Sequence, residues 1–249
     1  MVRKWFVLLA ALALPSCSDL PDYHYKMTVN VATPEGDRAY SSVRGIHSEY
    51  VSSIMSSSGR TIKDTLEGEA VIMDLPDGRT IYALVSRPDN PDYGTYVTGP
   101  ALGPQIPRGG KAKDGLTILS GNFLDEIVSR RRQMLALKGA CALPRTVSHN
   151  PSHRDDYKPM PMWPMFVTFE NSKDPTTVRE VTPEALGVKN ITIEITKDDI
   201  TTAVQERLPW LESQGRAHGS LRPNPPRYLS DTTPIQRVSA RDFSTELFK

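Results

Sequence analysis

Alternating apolar and polar residues predict β-strands in the first third of the chain. Met27, Val29 and Val31 alternate with polar neighbours, which is the period-two pattern of a strand with one buried face. A second run follows, in which Val43 and Ile46 are the main apolar positions. The segment from about Tyr25 to Leu84 is therefore predicted to be β.

The clearest local pattern is a β-hairpin at 70–85. Two β-rich runs, 70–75 and 80–85, flank Pro76-Asp77-Gly78, in which glycine supplies the positive φ that a tight turn needs. The two runs are almost continuously apolar. This favours a central place in a sheet with at least one covered face.

Two helices and two later strands complete the prediction. Helical spacing of apolar residues predicts helices at 122–138 and 201–208, the first capped by Asn122 and the second ended by Pro209. Strands are predicted at 165–170 and 188–196. The fold class is therefore α+β, with a single domain at 25–212 whose mostly antiparallel sheet is covered by about two helices.

Two regions have the composition of irregular chain. Residues 87–115 are rich in Pro and Gly and predict a long surface loop. Residues 213–249 are polar and Pro-rich, and we expect an extended or disordered tail. The whole chain has 21 Pro and 16 Gly among 249 residues, which favours short strands over long helices.

The charge balance excludes an electrostatic nucleic-acid binder. The chain has 30 basic and 29 acidic residues, whereas such binders carry a clustered basic excess. The main basic cluster, Arg130, Arg131 and Arg132, is interpreted as one solvated face of the first helix. We expect no nucleic-acid partner.

The amino terminus has the pattern of an export signal. Arg3 and Lys4 precede a short apolar run, which is too short to cross a bilayer and has the length of a secretory signal. We assign 1–16 to a signal peptide and 17–24 to a polar tether. The protein is then exported.

Two processing outcomes remain open at this signal. Small residues at Ala11 and Ala13 suit ordinary cleavage after Ala13. The sequence from Leu14 to Cys17 instead resembles a bacterial lipobox, from which Pro15 departs. On that interpretation Cys17 becomes the first mature residue and carries acyl chains, two or more of which anchor a protein stably.

The cysteine count is consistent with either outcome. Cys17 and Cys141 are the two cysteines of the chain and could pair in an oxidising compartment. If Cys17 is lipidated, Cys141 stands alone. Its apolar neighbours then suit a small buried side chain better than a nucleophile.

Five stretches carry a family resemblance: "TPEGDRAYSSV", "GEAVIMDLPDGRTIYALV", "LKGACALP", "FVTFENSKDPTTVREVTPEAL" and "ITIEITKDDITTAVQERLPWL". In order and spacing they resemble an uncharacterised family of proteobacterial predicted lipoproteins and exported proteins. The resemblance covers 26–211, with a shortened connection between Leu186 and Val188. It implies one folded unit and no particular activity.

A polar loop holds the only candidate metal ligands. His149 and His153 are four residues apart, but Pro151 between them forbids a regular helix, so the spacing loses its geometric reason. Asp155 and Asp156 would complete a loop site. A solvated polar loop is the alternative interpretation, and we predict no cofactor or metal.

A Met and Trp cluster is the candidate partner surface. Met160, Met162 and Trp163, with Trp210 further along, could line a groove for an apolar partner. Core packing is the competing interpretation.

The functional expectation follows from the anchor and from the missing catalytic motifs. We predict a non-catalytic binding or scaffolding module of the cell envelope, held to a bacterial membrane through Cys17 and facing the periplasm, with an envelope protein as partner. Ser18 after Cys17 favours the outer membrane in the enterobacterial sorting pattern. The alternative is an envelope hydrolase or metal-dependent enzyme that uses the loop from His149 to Asp156.

Overall fold

The strands form two antiparallel sheets and a two-stranded ribbon. The computed structural model describes residues 20–54, 59–106, 123–149, 158–217, 219–222 and 232–246. In these residues the strands are β1 (Tyr23–Thr33), β2 (Gly36–Ser52), β3 (Arg60–Glu67), β4 (Val71–Asp74), β5 (Thr80–Ala83), β6 (Cys141–Ala142), β7 (Thr146–His149), β8 (Lys158–Pro161), β9 (Phe166–Phe169), β10 (Val178–Val181) and β11 (Val188–Thr196). The predicted mostly antiparallel α+β fold is confirmed.

The helices are short, apart from one. They are α1 (Tyr93–Tyr96), α2 (Thr98–Leu102), α3 (Phe123–Leu135), α4 (Val204–Arg207), α5 (Leu211–Ala217) and α6 (Pro234–Arg237). The predicted helix at 122–138 is confirmed as α3. The one at 201–208 shrinks to α4, because Pro209 ends the hydrogen-bonded ladder almost as soon as it begins.

The first sheet has the strand order β3-β2-β1-β11-β6. The predicted alternation in β1 is confirmed, because Met27, Val29 and Val31 are all buried while the residues between them face outward. The same face begins earlier, at Tyr23, which is also buried. Because Leu20 is buried too, the described part of the predicted tether at 17–24 belongs to the folded body.

The second sheet has the order β10-β9-β5-β4 and contains the predicted hairpin. Gly78 has φ +85° and donates its N–H to the Leu75 carbonyl at 3.0 Å, which closes the turn between β4 and β5. The central position predicted for both strands is right for β5 only, since β4 lies at the edge. Both faces of this sheet are covered.

The main core fills the space between the two sheets. Tyr25, Met27 and Val29 of β1 pack with residues of β4, β5 and β9, among them Met73 and Phe166. Each of these strands presents alternate residues to the core. Local periodicity and tertiary packing therefore agree here.

The second core covers the other face of the second sheet and corrects the predicted tail. Val238, Ala240 and Phe243, all within 213–249, are buried against Tyr82 and Val167. The Phe243 carbonyl accepts a hydrogen bond from the Ala70 N–H at 2.8 Å. The apolar residues of this segment are isolated among prolines and follow neither helical nor strand periodicity. The sequence pattern therefore did not predict that the segment packs against the sheet. Residues 223–231 and 247–249 lie outside the described part.

The predicted loop at 87–115 is also wrong in its described part, residues 87–106. Tyr93, Val97 and Leu102 of the α1–α2 region are fully buried in the main core. Gly94 permits this packing, because a Cβ there would lie 2.1 Å from Leu66 Cδ2 of β3. The proline and glycine residues shorten the helices in this region but do not prevent its apolar side chains from being buried.

Candidate binding pocket around Trp163

Four separate segments enclose a small pocket at the β8–β9 connection. It has a volume of about 200 Å³. Arg87 comes from the chain after β5, Trp163 from the β8–β9 connection, and Glu180 from β10. The remaining wall residues are Arg145, Thr146, Pro161, Pro164, Met165, Phe166, Val181 and Pro183. Three charged side chains line the pocket, and two of them, Arg87 and Arg145, are cations.

Trp163 forms an aromatic wall that is fixed at its edge. Its Nε1 donates to the Leu143 carbonyl at 3.1 Å, and its ring packs partly into the main core. The Arg145 guanidinium lies 5.2 Å from the ring centroid and also pairs with Glu184. The Arg145 guanidinium therefore already covers one face of the Trp163 ring as a cation–π contact.

The Arg87 guanidinium is held in place by three hydrogen bonds. Its Nη1 donates to the Trp163 carbonyl at 2.9 Å, while Nε and Nη2 donate to the two carboxylate oxygens of Asp89 at 2.9 and 2.8 Å. Burial by itself would raise the pKa of Asp89, but the hydrogen bonds from Arg87 outweigh it and lower that pKa. The ion pair is a rigid part of the pocket wall.

Glu180 is the carboxylate without such a partner. No hydrogen bond or ion pair to its side chain occurs among the described residues, whereas its strand neighbour Arg179 pairs with Glu170. Partial burial raises the pKa of Glu180; Arg87 acts in the opposite direction and Asp89 in the same one. The pocket therefore contains one negative charge that is not neutralised by a direct contact.

The size and chemistry of the pocket suit one cationic side chain. Ligand pockets for drug-sized molecules or cofactors span about 300–1,000 Å³, so a pocket of about 200 Å³ suits a smaller group. An aromatic face and an unpaired carboxylate are the two features that recognise an amine or a guanidinium. Neither Arg87 nor Arg145 pairs with Glu180.

The predicted partner surface divides between core and pocket. Met162 and Trp210 are buried, the former in the main core and the latter against Phe169 and Phe243 in the second core, so the prediction is wrong for these two. Trp163 lines the pocket. Met160 is half-buried beside it, where its sulfur accepts from the Asn90 side chain at 3.9 Å.

Other features of this pocket were not evident from the sequence. Arg87, Arg145 and Glu180 come from three stretches that are far apart along the chain. The aromatic and proline-rich "MPMWP" stretch was the one available signal. Nothing in the sequence marks Glu180, because its significance depends on having no partner.

The predicted metal ligands lie mostly outside the described residues. This applies to His153, Asp155 and Asp156, while His149 ends β7 and its side chain is not described. Within the described ranges, no group of three His, Cys, Asp or Glu residues could hold a metal. The loop site and the enzymatic alternative stay predictions.

The structure describes one of the two cysteines. Cys17 precedes the first described residue. Cys141 is a half-buried thiol in β6 and packs against the main core. No helix in the described part of the chain is long and apolar enough to cross a membrane.

An aspartate–histidine pair at the start of β1 has part of a catalytic geometry. His47 Nδ1 and Asp22 Oδ2 are 2.7 Å apart, and the hydrogen bond with Asp22 raises the pKa of His47. The nearby Ser48 hydroxyl donates to Asp64 at 2.6 Å and accepts from Arg131 at 2.5 Å. This hydroxyl is therefore engaged elsewhere and is not aligned as a nucleophile for His47.

Arg131 differs from the solvated arginine that the sequence predicted. Its side chain is 9% exposed, donates to Asp64 Oδ2 at 2.9 Å and lies 5.0 Å from the Tyr23 ring centroid. Arg130 and Arg132 are exposed, as expected. The α3 face therefore contributes one arginine to a polar cluster on the first sheet.

A buried arginine lies between the sheets. Arg44 has no exposed surface, and its Nε donates to the Glu69 carbonyl at 3.1 Å. The Glu69 side chain in turn accepts from the Val204 N–H at 2.6 Å, at the start of α4. These contacts connect the main core to the second core, and their burial keeps them from any solute.

The chain matches no protein family, no curated protein and no solved structure.

Proposed function

We propose that this protein is a lipid-anchored binding module of the cell envelope. In this proposal Cys17 is the attachment point, on the periplasmic side of a bacterial membrane, with the outer membrane favoured by Ser18. The Trp163 pocket takes a lysine or arginine side chain of a partner protein. The enzyme alternative uses the loop from His149 to Asp156, which lies mostly outside the described residues.

The observation that carries the proposal is the Glu180 carboxylate, which lines the same pocket as Trp163 and has no hydrogen bond or ion pair among the described residues. Glu180 is exposed to solvent at the pocket, and the raised pKa of its carboxyl shows that its surroundings disfavour the charged form. A partner cation in contact with Glu180 would favour the charged form. β10 is an edge strand of the second sheet, and the Arg222 side chain donates to its Val178 carbonyl at 3.0 Å.

The strand directions support a pocket that faces away from the anchor. The chain enters the fold at Tyr23, whereas Pro183 of the pocket wall accepts from the Val188 N–H at the start of β11. Val188 pairs with Val31, at the other end of β1. Tyr23 and Val31 are about 27 Å apart along the strand. The binding end therefore lies away from a membrane held at Cys17.

Photo-crosslinking in intact cells tests this proposal. A photoreactive residue at Val181, in the pocket wall, should give a partner adduct that the same residue at Thr28, on the outer face of β1, does not give. Glu180→Gln should reduce the adduct severalfold, because it removes the charge and keeps the shape. Glu170→Gln, an exposed carboxylate outside the pocket, is the matched control and should leave it unchanged.

The pH dependence of the adduct sharpens the test. Because the pKa of Glu180 is raised, its charge is lost at a higher pH than that of an ordinary glutamate as the medium is acidified. Adduct yield should fall through that range in the wild type and stay flat in Glu180→Gln. Equal adducts at Val181 and Thr28 would contradict the proposal.

A further inference from the structure

The Trp163 pocket has a second charge, besides Glu180, that an incoming group can reach. Arg145 lines the same pocket, and its side chain is 57% exposed. Its backbone is fixed beside the pocket, because the Arg145 carbonyl accepts from the Met162 N–H at 2.9 Å. The pocket therefore presents both a carboxylate and a guanidinium to a ligand.

Arg87, the other cation of the pocket, is already engaged. Its side chain is 13% exposed, and its nitrogens donate to the Asp89 carboxylate and to the Trp163 carbonyl. Breaking these contacts would leave a largely covered charge without a partner, which is costly. Of the two arginines that line the pocket, Arg145 is the one available to an anion.

The pair between Arg145 and Glu184 leaves room for a second carboxylate. A guanidinium has five N–H donors, and in the described part of the chain the Arg145 donor that contacts a carboxylate is Nη2, which pairs with Glu184. Both side chains are more than half exposed, and exposed ion pairs contribute little free energy, so an incoming carboxylate can join or replace Glu184. The cation–π contact with Trp163 still holds the guanidinium at the pocket.

A ligand that complements both side chains carries two separated charges. Glu180 attracts a cation and Arg145 attracts a carboxylate. Glu180 lies in β10, and Glu184, the partner of Arg145, is four residues further along the chain. Four residues of extended chain span at most about 14 Å. A lysine or arginine residue suits charges that are separated on this scale, because its cation lies at the end of a long aliphatic stem.

We infer that the pocket binds the C-terminal lysine or arginine of a partner protein, with the side-chain cation on Glu180 and the terminal carboxylate on Arg145. The inference rests on the proposed function, which assigns a basic side chain to this pocket. It adds the position of that residue in the partner, because an α-carboxylate is present only at the end of a chain.

Two tripeptides that differ only in their last group test the inference. Acetyl-glycyl-glycyl-lysine ends in a carboxylate, whereas its amide does not. Isothermal titration calorimetry at low salt measures the affinity of each peptide for the purified mature protein. The acid should bind about tenfold more tightly than the amide, because it adds a charge-assisted hydrogen bond to Arg145.

Substitutions in the pocket should separate the two contacts. Arg145→Gln should abolish the preference for the acid and leave the affinity for the amide little changed, whereas Glu180→Gln should weaken both peptides alike. Glu184→Gln removes the competing carboxylate and should raise the affinity for the acid severalfold, which a purely structural role of this ion pair would not produce. The matched control is Arg179→Gln, which breaks an equally exposed pair with Glu170 outside the pocket and should change neither affinity.

Two results would overturn the inference while leaving different parts of the account intact. Equal affinities of the acid and the amide for the wild type would show that the carboxylate is not recognised, although a basic side chain still binds as the proposed function requires. Equal binding of acetyl-triglycine, which has the carboxylate but no basic side chain, would show that Glu180 takes no part. If none of the peptides binds, both the inference and the proposed function are contradicted. Circular dichroism confirms that each variant is folded.

Discussion

The two cores of this protein differ in how their residues are distributed along the chain. The main core is built from regular strands, in which alternate residues such as Met27 and Val29 point inward. The second core collects single apolar residues, among them Trp210 and Phe243, from short elements separated by prolines. A polar segment rich in proline can therefore complete a hydrophobic core when it packs against an apolar face of a sheet.

Removing the C-terminal segment should have the largest effect. Deletion of residues 223–249 exposes Tyr82 and Val167 and removes Phe243, so we expect the free energy of unfolding to fall by about 5 kcal/mol or more, comparable with the whole stability of many domains. Urea denaturation measures it. Deletion of 247–249 is the control and should change little. An unaltered protein after the longer deletion would mean that the second core contributes nothing.

Single truncations within the two cores should cost similar amounts. Phe243→Ala and Met27→Ala both remove fully buried side chains, and we expect each to lower the free energy of unfolding by about 3–4 kcal/mol. Thermal and urea unfolding of the two variants give the comparison. A cost below about 1 kcal/mol for Phe243→Ala alone would show that the second core is loosely packed.

The arginines of α3 should differ in how much each contributes to the free energy of unfolding. A double-mutant cycle with Arg131→Ala and Asp64→Ala should give a coupling energy of about 1–3 kcal/mol, because both partners are largely covered and hydrogen-bonded through Ser48. Arg130→Ala, on the exposed face, should change stability by less than about 0.5 kcal/mol. Equal effects of the two arginine substitutions would contradict the distinction.

The smallest expected effect is a pH dependence in the second core. Burial raises the pKa of Asp242, despite hydrogen bonds from Ser86 and Ser239 that lower it. The stability that this carboxyl contributes is fully present below its unfolded pKa of about 3.9 and is lost as pH rises through the folded value.

Acidification from neutral pH should therefore stabilise the wild type relative to Asp242→Asn. Measuring the difference in free energy of unfolding between the two proteins across pH cancels the other carboxylates. A difference that does not vary with pH would show that Asp242 titrates alike in both states.

Local patterns predicted the parts of the fold in which sequence neighbours decide the structure. The alternation in β1, the turn at Gly78 and the apolar spacing of α3 are all local properties. The burial of Tyr93 and Phe243 is not local, because each is covered by residues far away along the chain. Propensity therefore assigned both to irregular, exposed chain.

The candidate pocket was predictable only in part for the same reason. Trp163 stands out in the sequence by its composition and its proline neighbours. Glu180 does not, since its importance follows from the geometry that leaves it unpaired beside Arg87 and Asp89. Arg131 shows the reverse case, because this residue of α3 looks solvated in the sequence but its side chain is largely covered and pairs with Asp64 of β3.

Attachment through Cys17 underlies the proposed function, and intact mass spectrometry of the protein extracted from membranes tests it most directly. The expected mass is that of a chain beginning at Cys17 with a diacylglycerol on sulfur and an acyl chain on nitrogen, and a Cys17→Ser variant should lack this species. An unmodified chain beginning at Leu14, after cleavage at Ala13, would contradict the anchored binding module.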